Sequence, residues 1–233
     1  IMEYRYGKNE NYEDFSSGRV LYNAGGVPNF PVRLAQEIYG RCLEYLNKTG
    51  EICLYDCCCG GGYLLTVLGF LNQDTIAEII GTDIDEKAVD IAIRNVSLLT
   101  PEGMDKRIAQ IRGMISQFGK PSHREAEDSA LKLKKMIKRE IKTTIFQADA
   151  LKPIKLHKTP DIIITDLPYG NLVSWGDNKS GPDKLLASLY EVCSKHTVVG
   201  ICMDKKQKAE YKGFVRLEKQ TVGKRKFELL KKV

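Results

Sequence analysis

Four acidic side chains, each standing at the end of an apolar run, carry the chemistry legible in this sequence: Asp56, Asp83, Asp149 and Asp166. Asp56 is followed by Cys58, Gly60 and Gly62 in a D-x-x-x-G-x-G pattern. Glycines in a turn of this kind bring bare backbone against a nucleotide-type ligand. A dinucleotide loop requires G-x-G-x-x-G, and Leu65 stands where its third glycine belongs, so that pattern fails here. Asp83 closes the next apolar run 21 residues after Gly62, the distance at which an open α/β sheet places a carboxylate on vicinal ribose hydroxyls. Asp85, two residues further on, reads as a helix N-cap instead of a ligand. Asp149 lies in Ala148-Asp149-Ala150, where it either reaches a ligand or merely ends a strand, and Asp166 opens the turn Asp166-Leu167-Pro168-Tyr169-Gly170.

The positions of these acids demand a particular scaffold. Ile52 to Tyr55 reads as a buried strand and Leu64 to Leu71 as a helix, which puts the glycines in a strand-to-helix turn. Ala77 to Gly81 predicts a second strand, with Asp85 capping a helix from Glu86 to Leu99; Thr143 to Gln147 predicts a third. Asp161 to Thr165 is apolar enough for a parallel strand buried on both faces. Phe214 to Leu217 and Phe227 to Leu230 flank Gly223-Lys224-Arg225 and read as a closing antiparallel hairpin. The expected architecture is one α/β domain over residues 1–233, its seven-stranded sheet parallel except for the last strand and covered by helices on both faces. An N-terminal extension, residues 1–48, contains a helix from Pro31 to Leu46.

Residues 102–142 form an insertion between the second and third strands. Met104, Ile108, Ile111, Ile115 and Phe118 recur at helical spacing, and Ser122 with Glu125 suggests a capping box for a second helix whose inner face holds Ala126, Ala130, Leu133 and Ile137. Lys132, Lys135, Arg139 and Lys142 lie toward another face, either as a solvated surface or as a contact for a polyanion. Charge is distributed unevenly. The net value is +6, yet residues 105–142 hold eleven basic against five acidic side chains and residues 205–233 hold eleven against three. Localised basic segments on an acidic body suit nucleic acid, whose phosphates supply much of its affinity for proteins. In the C-terminal segment much of the charge reads as protection of an edge strand.

The composition, 42% hydrophobic and 28% charged, is that of a soluble domain with one core. No apolar run long enough to span a membrane and no secretory leader is expected. Seven cysteines, three of them consecutive, fit neither a disulfide framework nor a metal-ligand spacing; they read as reduced thiols of a cytoplasmic protein. His123, His157 and His196 share no ligand spacing, and no metal is expected.

The Asp56 loop resembles the first motif of class I S-adenosylmethionine-dependent methyltransferases. That resemblance places Asp56 near the methionine amino group, Asp83 on the ribose and Asp149 at the adenine amino group, with Cys58, Gly60, Gly62, Ile84 and Ala150 completing the cofactor set. Asp166-Leu167-Pro168-Tyr169 resembles the D/N-P-P-Y motif of enzymes that methylate nitrogen on planar bases or amides, with Leu167 replacing the first proline. An attacking nitrogen must aim its lone pair at the sulfonium methyl, so acceptors must hold its hydrogens. The Asp166 carboxylate and Leu167 carbonyl would do so while Tyr169 stacks on the ring. Alignment and fixed dipoles lower the barrier for such a transfer without a metal.

The whole chain resembles a family more closely still, the AviRa avilamycin-resistance 23S rRNA methyltransferases. The resemblance rests on Ser17 to Tyr22, Phe30 to Ala35, Tyr55 to Leu68, Thr82 to Asp85, and Thr165 to Gly170 with Trp175. Cys57 and Gly61 depart from it, standing where the family pattern has proline and serine. It implies methylation of a guanine nitrogen, N1 or N2, in 23S rRNA or the large ribosomal subunit, by a cytoplasmic monomer. S-adenosylhomocysteine would be the product and orthosomycin resistance a cellular consequence. Arg19, Arg33, Lys132, Lys135, Arg139 and Trp175 are the residues then expected at RNA. The competing expectations are methylation of a protein amide or small molecule, and a non-catalytic rRNA-binding protein.

Overall fold

The computed structural model describes residues 2–25, 29–167 and 181–233. Its strands are β1 (Ile52–Asp56), β2 (Ile76–Asp83), β3 (Lys142–Gln147), β4 (Ile162–Asp166), β5 (Val198–Asp204), β6 (Phe214–Val222) and β7 (Arg225–Lys232). They form one sheet in the order β3-β2-β1-β4-β5-β7-β6. β1 to β5 pair in parallel, and β7 lies antiparallel between β5 and β6. The sheet is therefore parallel except for its last strand, as the alternation of elements predicts. β1 is buried along its whole length because both its faces are covered. Ile52 and Leu54 pack into the layer built by α1 (Val32–Tyr45), α2 (Tyr63–Leu71), α3 (Glu86–Ser97), α4 (Pro101–Phe118) and α5 (Pro121–Met136). Cys53 and Tyr55, pointing the other way, meet α6 (Gly181–Val192).

The extension is tied to the domain through a buried carboxylate. Glu37 on α1 is inaccessible to solvent and accepts hydrogen bonds from the backbone N–H groups of Arg5, Tyr6 and Gly7 at 2.7–3.0 Å. It also takes one from Arg41 Nε at 2.6 Å. Arg41, itself buried, donates onward to the Glu3 carbonyl and pairs with Glu218 on β6. Removing Glu37 would leave Arg41 Nε and three backbone N–H groups without their buried acceptor. Glu37→Ala is accordingly expected to lower stability by about 3–5 kcal/mol, measured as a shift in the urea midpoint at unchanged slope.

The insertion is the expected helical hairpin, but its second helix starts differently. Thr100 caps α4, its Oγ1 accepting from Gly103 N at 3.1 Å, and Gly119 ends that helix in the left-handed conformation at φ 61°. α5 has Lys120 at its N-cap and no side-chain cap. Pro121, preorganised for the first helical position, starts the helix two residues earlier than a Ser122 cap would, so no capping box forms. Glu125 is instead paired with Arg19.

Candidate active site

The acids of the sequence analysis gather at the carboxyl ends of the parallel strands, around the point where strand order reverses between β1 and β4. That crevice is where open α/β sheets take ligands. Asp56 ends β1 with 2% of its surface exposed, and its Oδ1 accepts from Cys58 N at 3.0 Å. Cys59 N donates to Thr82 O at 2.9 Å, stitching the turn to β2. Gly60 and Gly62 sit at φ 51° and 73°, a region that favours glycine. A Cβ on Gly62 would also lie 3.0 Å from the Ala92 Cα, so the turn packs directly on α3.

Asp83 ends β2 and braces the glycine turn. Its Oδ2 accepts from Gly60 N at 2.7 Å and its Oδ1 from Asp85 N at 3.0 Å. Each oxygen keeps a lone pair for a ligand hydroxyl. Asp85 caps α3 through Lys87 N at 3.0 Å. Beside Asp83, Ile84 stands 64% exposed, an apolar surface next to a polar cradle. Ala148 N donates to Asp83 O at 2.9 Å, holding the end of β3 against that of β2. Asp149 turns its carboxylate toward its own loop, accepting from Leu151 N at 3.0 Å and pairing with Lys152 at 3.3 Å; Ala150 is buried behind it. The backbone cradle, the braced diol-height carboxylate and the apolar shoulder together fit a nucleoside-type ligand.

Asp166 ends β4. Its Oδ1 is buried and has no hydrogen-bond partner among the described residues, while Oδ2 lies 3.8 Å from Arg225. Leu167, also buried, is fixed by donation of its N–H to Cys202 O at 2.8 Å. Burial pushes the Asp166 carboxyl up to about 6, against the pull of the Arg225 charge and a hydrogen bond with the Cys202 side chain. Burial likewise pushes Asp56 up to about 7. The Cys58 N–H and the Thr165 hydroxyl oppose that rise, and the nearby Asp83 and Asp166 charges add to it. A lone buried acceptor titrating near neutrality is the equipment of a group that takes a proton or holds an N–H.

Pro168, Tyr169 and Trp175 lie outside the described residues. Asp56, Cys58, Gly60, Gly62, Asp83, Ile84, Asp149, Ala150, Asp166 and Leu167 share one end of the sheet. The basic residues expected at RNA do not join them as a group. Arg19 is held between Glu13 at 2.7 Å and Glu125 at 2.9 Å. Arg33 donates to Gly7 O at 2.9 Å with its guanidinium over the Tyr4 ring. Lys132 pairs with Asp14 at 3.5 Å, whereas Lys135 is exposed. Arg139 contacts Glu51 and the Ile76 carbonyl, which places it at the amino ends of β1 and β2, the far end of the sheet from Asp166.

Two features have no local signature in the sequence. Arg225 reads there as part of a hairpin turn; only the β5–β7 register brings it to Asp166. Asn95 on α3, buried, donates through Nδ2 to Gly61 O at 2.8 Å and Tyr22 O at 3.0 Å, and accepts from Tyr22 N at 2.7 Å. It thereby clamps the N-terminal extension onto the glycine turn, with the Tyr22 ring between Arg94 and Arg107. Ala24 lies so close that a Cβ on Gly61 would be 2.7 Å from its methyl, which accounts for glycine at that position. Among the described residues no group of three or more His, Cys, Asp or Glu could hold a metal ion, and no helix is long and apolar enough to cross a membrane.

Comparison with known proteins gives consistent matches. A family described as rRNA methyltransferase AviRa matches residues 2–225. A curated 23S rRNA (guanine(2535)-N(1))-methyltransferase of Streptomyces viridochromogenes is 36% identical over 228 residues, covering 94% of this chain and 91% of that protein. The solved structure of rRNA methyltransferase aviRa from Streptomyces viridochromogenes superposes with a TM-score of 0.89 at 34% identity, over 99% of this chain and 96% of that one. TrmN from Thermus thermophilus, at 15% identity and a TM-score of 0.52, shares the fold over 90% of this chain and 51% of its own.

Proposed function

The chain belongs to the AviRa family of rRNA methyltransferases, and from that membership we propose that it methylates N1 of a guanine in 23S rRNA with S-adenosylmethionine as donor. The observation that carries the choice of acceptor is the buried Oδ1 of Asp166, unpartnered among the described residues, at the end of the strand beside β1. Guanine presents an N1–H and an exocyclic amine on one edge, two donors that a carboxylate can accept together; adenine has no N1–H. Methylation at N1 also requires that proton to leave. A carboxyl raised to about 6 accepts it near neutral pH without being protonated beforehand.

The residues present fit the cofactor. Asp56 would face the methionine ammonium, Gly60 and Gly62 would let backbone approach, Asp83 would take the ribose diol, and Ile84 would pack on the base, with Asp149 and Ala150 at its rim. When bound, S-adenosylmethionine supplies a methyl group on a sulfonium centre that departs as a neutral thioether. The protein's share of the work is alignment. Asp166 and the Leu167 carbonyl would hold the guanine edge, and Asp166 would take the N1 proton, freeing at N1 the in-plane electron pair that forms the bond to the transferred carbon as its bond to sulfur breaks. The target base must leave its stack to reach Asp166, whose Oδ1 is buried.

Incubation of the enzyme with 23S rRNA and S-adenosylmethionine, followed by nuclease mapping and mass spectrometry, is expected to find 1-methylguanosine at one position. A methyl group on adenine, on the guanine amine or on no nucleotide would overturn the assignment.

A further inference from the structure

The sequence contains two basic segments of similar density, and the fold treats them differently. In and around the insertion several cations are paired with acids. Lys132 pairs with Asp14, Lys134 with Asp105, Arg112 with Glu127, Lys138 with Asp74 and Arg139 with Glu51. The last two of these pairs sit at the amino end of the sheet.

The C-terminal segment is carried to the opposite end. Because β7 runs antiparallel, it begins where the parallel strands finish: Arg225 pairs with Asp204, the last residue of β5, and reaches Asp166. The chain leaving β5 is fastened to the same turn, Lys205 N donating to Lys224 O at 3.0 Å and Lys206 N to Asp204 Oδ1 at 2.8 Å. The result is an edge on which Lys205, Lys206, Lys208 and Lys224 are all exposed. None of these four ammonium groups is paired with an acid among the described residues. Exposed like charges held together by backbone hydrogen bonds repel one another, an arrangement that a polyanion relieves.

We propose that this lysine edge, Lys205, Lys206, Lys208 and Lys224, grips the RNA phosphates flanking the target base. The inference rests on the proposed reaction and adds where the substrate lies. A base drawn into the Asp166 site brings its neighbouring phosphates to the carboxyl end of the sheet, and the strand order puts β5 beside β4 and β7 next beyond β5 there. Lysine suits the task, since an ammonium on a flexible stem follows a backbone without reading sequence.

The test is a triple variant, Lys205→Gln/Lys206→Gln/Lys224→Gln, assayed for methylation of 23S rRNA across a salt series. KM for RNA is expected to rise about tenfold or more near physiological salt while kcat and cofactor affinity hold. The slope of log affinity against log salt should become shallower by about 2 to 3, one counterion-release contribution per lost phosphate contact. A Lys138→Gln/Lys195→Gln variant, altered at the amino end of the sheet, should match the wild type. Circular dichroism melts establish that the triple variant is folded, and Lys208→Gln alone should give a smaller KM rise in the same direction. A triple variant with wild-type KM and salt slope overturns the proposal, as does a KM increase carried instead by Lys132→Gln/Lys135→Gln on the insertion. If the wild type methylates no rRNA, the functional reading fails; if it does and the triple variant equals it, only the lysine edge fails.

Discussion

Asp166→Asn is expected to slow methyl transfer by about 10²–10⁴-fold, the range for loss of a positioned proton acceptor, or roughly 3–5 kcal/mol of barrier. Cofactor affinity should stay within about twofold in the same protein, measured by calorimetry; a variant that keeps its turnover would remove Asp166 from the chemistry. Asparagine preserves shape but holds no negative charge, cannot take the N1 proton, and turns one of its two acceptor oxygens into a donor facing the guanine edge. Asp166→Ala should lose as much. The partner of Asp166 gives a second readout. Burial raises its carboxyl to about 6 and Arg225 pulls against that rise, so Arg225→Met should raise it further. On the proposed role of Asp166, which needs the ionised form, the acid limb of the kcat/KM profile should then move to higher pH, with activity near pH 6 falling several-fold. A purely structural role for Arg225 would leave that limb where it is.

The second large effect concerns the cofactor. Asp56 is buried at about 7 between opposing influences, desolvation and the Asp83 and Asp166 charges raising it, the Cys58 N–H and Thr165 hydroxyl lowering it. A cation binds to the carboxylate, not the acid, so in the proposed role of Asp56 protons compete with the methionine ammonium once pH falls below that value. Affinity for S-adenosylmethionine should therefore be level above about pH 8. It should then weaken toward a limit of about tenfold per pH unit below 7, as expected for one linked proton. Three carboxylates share the crevice, so the midpoint belongs to the group as a whole. In Asp56→Asn the dependence should largely vanish and affinity at pH 8 should drop about 10²-fold, near 3 kcal/mol for the loss of a desolvated charge pair. A flat binding profile in the wild type would contradict the role given to Asp56.

The unequal legibility of these residues has a physical basis. Asp56, Gly60, Gly62 and Asp83 were readable because their relation is set locally: a strand, a tight turn and a helix fix where each backbone group points, and the next parallel strand must return at a set distance along the chain. Asp166 was readable for the same reason, as the acid that ends a buried strand. Helix ends depended on finer competition, and at α5 the fixed φ of Pro121 prevailed over the Ser122 capping pattern. The two basic segments could not be told apart in sequence, since charge density does not say where counter-charges lie. Asp14, Asp74 and Glu51 reach cations of one segment from elsewhere in the chain, and Asp105 and Glu127 pair with others across its own helical hairpin.

The sequence by itself therefore determined the glycine turn and the acids at the strand ends, together with the sheet and helices that hold them. Tertiary structure alone decided that Arg225 meets Asp166, that Asn95 clamps the N-terminal extension to the Gly61 turn, and that an unneutralised lysine edge borders the site. Arg225 lies 59 positions from Asp166, Asn95 lies 73 from Tyr22 and 34 from Gly61, and the lysine edge depends on an antiparallel register. Such contacts are fixed by which strands lie side by side, and no local spacing encodes that.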